Sequence, residues 1–501
     1  MKQLFLALLL ALSAWAGSPP ALEWYPWSDE VFARAKREDR FVLLDLEAVW
    51  CHWCHVMDAT TYQDPAAVAL LKSKYIVVRV DQDSRPDLAG RYEDYGWPAT
   101  IVFDREGHEI VKRQGYIAPK EMVSMLRAII ADPAPGPSVV AEEPIEFASS
   151  PTLPAQMREQ LAANYRLRYD SKNGSWGFQQ KFLDWDGVEY AMLLARQGDA
   201  QAEKMALQTL TAQLSLIDPV WGGVYQYSTD GDWKHPHFEK IMQFQAENMR
   251  IYALAWQQFH KPEYLQAAQA IRRFLQTFLT SPDGAFYTSQ DADLIDGQHS
   301  AAYFKLNDAA RRRLGVPRVD RHIYARENGW AIAALAVLSQ ATGDATCLAD
   351  AERAAHWVIA HRSLDGGGFR HDEQDPAGPY LGDTLAMTRA FLGLYAVTQD
   401  RAWLEHARHS LEFIASNFRN TAGAGYVTAR AAADAAYQPR PERDENVALA
   451  RAANAAWRAT GDANLRKIAE EAMRYVVTPQ VARAYTAAPT LLADAELTAA
   501  H

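Results

Sequence analysis

Phe41-Val42-Leu43-Leu44-Asp45-Leu46, followed by Trp50-Cys51-His52-Trp53-Cys54-His55-Val56-Met57, sets a strand, a short turn and the start of a helix in one run. The first segment is apolar except for Asp45, as a strand buried on both faces must be. The second puts two cysteines where a helix begins. Unpaired N–H groups and the positive end of the helix dipole stabilise a thiolate there, drawing Cys51 from the free-thiol value of about 8.5 toward neutrality. Cys51 is thus the expected attacking nucleophile. Cys54, three residues on, shares its helix face and is placed to resolve a mixed disulfide. Asp45, desolvated in its strand, is expected to have a raised pKa and to accept the proton that Cys54 must lose; the plainer alternative is a satisfied structural carboxylate. Trp50, His52, Trp53 and His55 flank the sulfurs and support them.

Residues 75–80 read as a second buried strand, and Gly96-Trp97-Pro98-Ala99-Thr100 leads into a third, Ile101-Val102-Phe103. A proline just before a strand cannot donate to the ladder, and a cis bond at Trp97-Pro98 would turn the chain toward the cysteines. The alternative is an ordinary trans proline. Cys51-His52-Trp53-Cys54-His55 also satisfies the C-x-x-C-H pattern of covalent haem attachment. The flanking strand and Pro-strand elements suit a redox dithiol better. Zinc fits poorly, because ligands within consecutive residues cannot surround one ion tetrahedrally and no second cysteine pair exists.

The chain has 501 residues and three cysteines, the third being Cys347 in a helical pattern, where it reads as a small buried apolar residue. So few cysteines exclude a disulfide scaffold. A formal charge of −11 argues against a nucleic-acid partner. Lys2, an apolar run and Ala14-Trp15-Ala16 read as a cleavable leader, so the expected location is exported, in a periplasm, with no membrane span after cleavage.

At this length more than one domain is expected. We divide the chain into a leader at 1–16, an α/β domain at 17–132, a Pro-rich linker at 133–153 and a helical domain at 154–501. Beyond Pro154 apolar residues recur at helical spacing in about twelve segments, among them 154–167, 187–196, 202–217, 243–259, 262–279, 328–342, 345–361, 383–398, 401–417, 446–459 and 463–476. Between them an aromatic-glycine signature returns, as in Trp176-Gly177-Phe178, Gly222-Gly223-Val224-Tyr225 and Gly367-Gly368-Phe369. Helix pairs joined by such turns build either a closed ring of hairpins or an open solenoid.

Trp50 through Met57 resembles the active-site run of the thioredoxin-like family named for spermatogenesis-associated protein 20. Pro236-His237-Phe238-Glu239-Lys240, Asp291-Ala292-Asp293, Asn328-Gly329 and Leu381-Gly382-Asp383 extend the likeness along the helical part, with departures at Phe244, Glu327 and Asp444-Glu445-Asn446. The resemblance implies an α/β thioredoxin-like N-terminal domain followed by an all-α (α/α)6 toroid, six-hairpin glycosidase-like. It also supports the roles given to Asp45 and Pro98. The expected activity is thiol–disulfide oxidoreduction with protein thiols and disulfides or a membrane redox donor, with a helical domain that binds or presents substrate, needing no cofactor beyond the Cys51–Cys54 disulfide. Trp176, His237, Glu239, Asp291, Asp293, Glu327, Asn328 and Asp383 form a candidate pocket in the helical domain, where carboxylates and aromatic faces would suit a sugar-like ligand. A carbohydrate-active or sugar-binding protein with a regulatory thioredoxin-like domain is the alternative reading.

Overall fold

The computed structural model describes residues 22–140, 144–375, 377–431, 435, 437–484 and 486–499. The leader expected at 1–16 lies outside them. The N-terminal domain runs α1 (Asp29–Glu38), β1 (Phe41–Glu47), α2 (His52–Thr60), α3 (Pro65–Lys74), β2 (Tyr75–Asp81), α4 (Pro86–Tyr92), β3 (Ala99–Phe103), β4 (Glu109–Gln114) and α5 (Pro119–Ala131). The sheet order is β2-β1-β3-β4, with β1 and β2 parallel and the other pairs antiparallel. Alternation along β1 divides its side chains between two cores. Val42, Leu44 and Leu46 join one with Val78 and Ile101, while Phe41 and Leu43 join the other with Met57, Leu71 and Leu126. Asp45, in step with Phe41 and Leu43, therefore lies on the face carrying α2.

Between α5 and the next helix the described residues hold neither helix nor strand. The helical domain then runs α6 (Ala155–Leu167), α7 (Trp185–Arg196), α8 (Ala200–Gln213), α9 (Met242–Phe259), α10 (Pro262–Phe278), two short helices α11 (Ala301–Phe304) and α12 (Asp308–Leu314), α13 (Ala325–Thr342), α14 (Ala345–Arg362), α15 (Leu381–Thr398), α16 (Arg401–Asn417), α17 (Arg443–Thr460), α18 (Ala463–Val476), α19 (Pro479–Ala484) and α20 (Ala488–Thr498). Consecutive helices pair as α7/α8, α9/α10, α13/α14, α15/α16 and α17/α18, and α20 returns to pair with α6. An inner ring runs α7–α9–α13–α15–α17–α20 and closes on α7. Closure excludes the open solenoid: the chain folds as a thioredoxin-like α/β domain followed by an (α/α)6 toroid.

Inner helices are walled in by two ring neighbours and an outer partner, so α13 and α15 are buried around most of their circumference. Gly329 of α13 lets α15 come close, since a Cβ there would stand 2.5 Å from the carbonyl carbon of Ala386. Two-residue strands at Lys240–Ile241, Ser289–Gln290 and Val319–Asp320 form a small sheet in the connecting loops. No helix among the described residues is long and apolar enough to cross a membrane.

Candidate active site

Cys51 is the N-cap residue of α2 and forms a disulfide with Cys54, their Cα atoms 5.3 Å apart. The backbone N–H of Cys54 donates to Sγ of Cys51 at 3.2 Å. The sulfur thus sits where a helix N-terminus offers unpaired N–H groups, the placement that favours a thiolate in the reduced pair. The peptide Trp97–Pro98 is cis, and Trp97 packs with Trp50, Cys51, Cys54 and Ile241 in one apolar cluster.

Asp45 lies opposite Arg79 in the β1–β2 register, and Arg79 donates to its Oδ2 at 2.9 Å. Burial pushes the Asp45 carboxyl up to about 6, with the Arg79 charge opposing the shift. Its Oδ1 is buried without a hydrogen bond of normal geometry, with the Tyr62 hydroxyl nearby, so that it can still take up a proton. The expected raised pKa is present, and the counterion is a partner that the apolar reading of residues 75–80 passed over.

Both histidines of the cysteine motif bond to the helical domain. Nδ1 of His52 lies 2.8 Å from Oδ1 of Asp293, and Nδ1 of His55 lies 3.1 Å from Oδ2 of the same residue. Burial works against the Asp293 carboxylate, yet the hydrogen bonds from His52 and His55 hold it down at about 2. His55 is raised: burial disfavours its charge, and the Asp293 hydrogen bond with the charges of Asp291 and Asp296 overcomes that. Asp291 is pushed up to about 6 by burial, against the charges of His55 and Arg318. The ring of His299 lies 4.2 Å from that of His52, and the backbone N–H of Ala292 donates to the Trp50 carbonyl. His55, Asp291 and Asp293 offer a possible metal-ligand triad, but the hydrogen bonds among them and Arg318, 3.1 Å from Asp291, already occupy those atoms.

The toroid encloses a cavity of about 750 Å³, bounded on the α/β side by Trp50, Asp83, Glu93 and Trp97 and on the helical side by Trp185, Phe244, Arg326, Glu327, Trp330 and Glu445 among others. Of the pocket residues expected from sequence, Glu327 lines it. The others need correction. Asp291 and Asp293 turn to the cysteine motif. Asp383 is fully buried with Oδ1 on Nδ1 of His371 at 2.8 Å. Trp176 is a core residue stacked on Tyr165, and Asn328 brackets the backbone of Phe286, accepting from its N–H and donating to its carbonyl. His237 stacks on Tyr227 with Glu239 3.9 Å away, and neither lines the cavity. Sequence reasoning missed Asp83, whose Oδ2 accepts from the Trp50 indole at 2.7 Å while its carbonyl lies 2.7 Å from Nε2 of His371. The position just after β2, on the edge where strands present loops to the partner domain, was its one sequence signal. Cys347 is buried, and burial pushes its thiol up to about 12, in keeping with the packing role expected.

Fold and site together define a thioredoxin-like domain whose cysteine pair is docked against a helical toroid. Residues 14–131 match the Thioredox_DsbH family, described as a protein of unknown function, DUF255. The chain belongs to the thioredoxin-like family. Thioredoxin H7 of Arabidopsis thaliana is 31% identical over 96 residues, 19% of this chain and 70% of that protein. Spermatogenesis-associated protein 20 of Mus musculus is 27% identical over 312 residues, 54% of this chain and 39% of its own length, so the chain spans well under two thirds of that relative. A crystal structure of D-mannose isomerase superposes with a TM-score of 0.52 at 13% identity, covering 69% of this chain and 97% of the isomerase, which shows a shared fold.

Proposed function

We propose that this protein is an exported thiol–disulfide oxidoreductase in which the helical domain holds substrate against the Cys51–Cys54 pair. The observation that carries the reading is the covalent pair itself at the head of α2, with Sγ of Cys51 accepting the Cys54 N–H. A thiolate at Cys51 attacks a disulfide, and Cys54, already within bonding reach, displaces the captured thiol. Asp45 receives the Cys54 proton, and Asp293 fixes the two histidines that flank the sulfurs. Export rests on the leader-like start of the sequence, and thiol or disulfide partners, including a membrane redox donor, follow from the chemistry of the pair. The rival sugar-processing reading loses support because most of its expected carboxylates and histidines point elsewhere than into the cavity.

The test is the reduction of a chromogenic aromatic disulfide by the pre-reduced full-length protein beside its Cys51→Ser variant. A stoichiometric burst from the first and none from the second is expected. Equal, slow reaction of both would remove the proposal.

A further inference from the structure

The cysteine pair is nearly closed to bulk solvent, with Cys51 4% and Cys54 3% exposed. On one side the loop bearing Asp293 and His299 covers the motif. On the other, Trp50, Trp97, Ile241 and Phe244 pack in the sulfur cluster and also line the toroid cavity. One layer of side chains therefore separates the sulfurs from a half-open cavity large enough for a small organic molecule.

That space has a charge preference. Nine carboxyl groups and five guanidinium groups line it, with no lysine. Arg250, Arg326, Arg389 and Arg451 are each ion-paired with glutamate. Asp83, Glu93 and Glu445 line the cavity without an ion pair to any basic side chain among the described residues. Glu327, 2% exposed, uses Oε1 for Arg326 and leaves Oε2 with no hydrogen-bond partner, as does Glu445 with its own Oε2. Burial and neighbouring acids push Glu93 up to about 8 and raise Asp83 and Glu445 as well. Carboxyls held this way gain a partner when a cation enters, and the aromatic residues Trp50, Trp97 and Trp185 in the lining are suited to cation–π attraction.

We propose that the cavity is the binding chamber for a small disulfide or thiol carrying a protonated amine, the low-molecular-weight substrate of Cys51 and Cys54. The inference rests on the thiol–disulfide reading above and gives that reaction its substrate class. In the reducing direction Trp97 and Phe244, the partly buried members of the intervening layer, turn aside, and the Cys51 thiolate attacks one sulfur of the substrate disulfide, forming the Cys51–substrate bond and expelling one thiolate. Cys54 then attacks the Cys51 sulfur, closing the protein disulfide and expelling the second thiolate. Two electrons pass from the dithiol to the substrate, and the two cysteine protons end on the two product thiols.

The experiment uses the full-length protein, reduced and freed of reductant, and follows its oxidation by cystamine, hydroxyethyl disulfide and dithiodiglycolate. Each rate is divided by that of the same disulfide with a free dithiol, which removes intrinsic reactivity. A corrected preference of about tenfold or more for cystamine over the neutral compound, with the dianion slowest, is expected, and Glu445→Gln and Glu93→Gln should each shrink the ratio. In parallel, calorimetry measures binding of cadaverine, a diamine without sulfur, to the oxidised protein and to Glu445→Gln. Equal corrected rates for the three disulfides together with no cadaverine binding overturn the substrate class while leaving the oxidoreductase reading intact. Failure of every disulfide to oxidise the protein overturns the oxidoreductase reading and this inference with it, whereas the charged chamber alone would still be recognised by cadaverine binding that Glu445→Gln abolishes.

Discussion

The Asp293 carboxylate, on a loop of the helical domain, lies 2.8 Å from Nδ1 of His52, one of the two residues between the redox cysteines, although 241 positions separate them in the chain. The toroid thereby places a negative charge within the immediate surroundings of Cys51. Above the raised His55 value, where no imidazolium charge offsets it, the carboxylate opposes a thiolate at Cys51 and so destabilises the reduced pair relative to the disulfide. Asp293→Asn keeps the shape and removes the charge. The expected result is a reduction potential more oxidising by on the order of 30 mV, with a lower Cys51 pKa, read by equilibration against glutathione and by thiolate absorbance. An unchanged potential would show that Asp293 serves docking alone.

The same contact gives stability a defined pH window. Asp293 is held down at about 2 in the folded protein, below its unfolded value near 3.9, so its stabilising contribution is complete above about pH 4 and fades as pH falls toward 2. His55 is raised in the folded state, so its contribution is complete below about pH 6.5 and is lost as pH rises through the folded value. The melting-temperature gap between wild type and Asp293→Asn should therefore be widest between about pH 4 and 6.5, narrower at about pH 3, and narrower again once pH has risen past the folded His55 value. A gap that grows monotonically with pH contradicts this assignment.

In the proposed reaction Asp45 is the base for the second half. Its buried Oδ1 and its value of about 6 suit proton uptake near neutral pH. Asp45→Asn should leave the attack by Cys51 largely intact and slow the resolving step by on the order of a hundredfold, so that a mixed disulfide accumulates and is seen by intact-mass spectrometry. Cys54→Ser supplies the reference for full accumulation. If the Asn variant resolves as fast as wild type, Asp45 is a structural partner of Arg79.

The strand carrying Asp45 and the helix carrying the cysteines were legible because each obeys a local rule: two-sided burial for one, a break before a helical run for the other. β4 was not, since Glu109, Lys112 and Arg113 interrupt its alternation on the outer edge of the sheet. Helix starts expected at 328, 383 and 446 lie at 325, 381 and 443. The missed turns contain Arg326, Glu327, Asp444 and Glu445, polar residues that line the cavity and so break apolar periodicity there. Ring closure by α20 on α7, the pairing of α20 with α6 and the bond from Asp293 to His52 join distant parts of the chain, and no local pattern encodes them.

The closeness of α13 to α15 makes Gly329 a test of how the inner ring is packed. A methyl group there would meet the carbonyl carbon of Ala386 at 2.5 Å and its Cβ at 2.7 Å, backbone and near-backbone atoms that cannot rotate away. Gly343, by contrast, ends α13 at φ +71 with open space around its Cα, so a substitution meets conformational strain without a clash. Gly343→Ala should cost about 1 kcal/mol from the left-handed backbone. Gly329→Ala gains helix propensity at a mid-helix site and should still lose about 1–3 kcal/mol, because the two helices must move apart. Chemical denaturation followed by helical circular dichroism compares the two. A neutral or stabilised Gly329→Ala would mean that the inner ring yields easily, and that the cavity it encloses is softer than close packing implies.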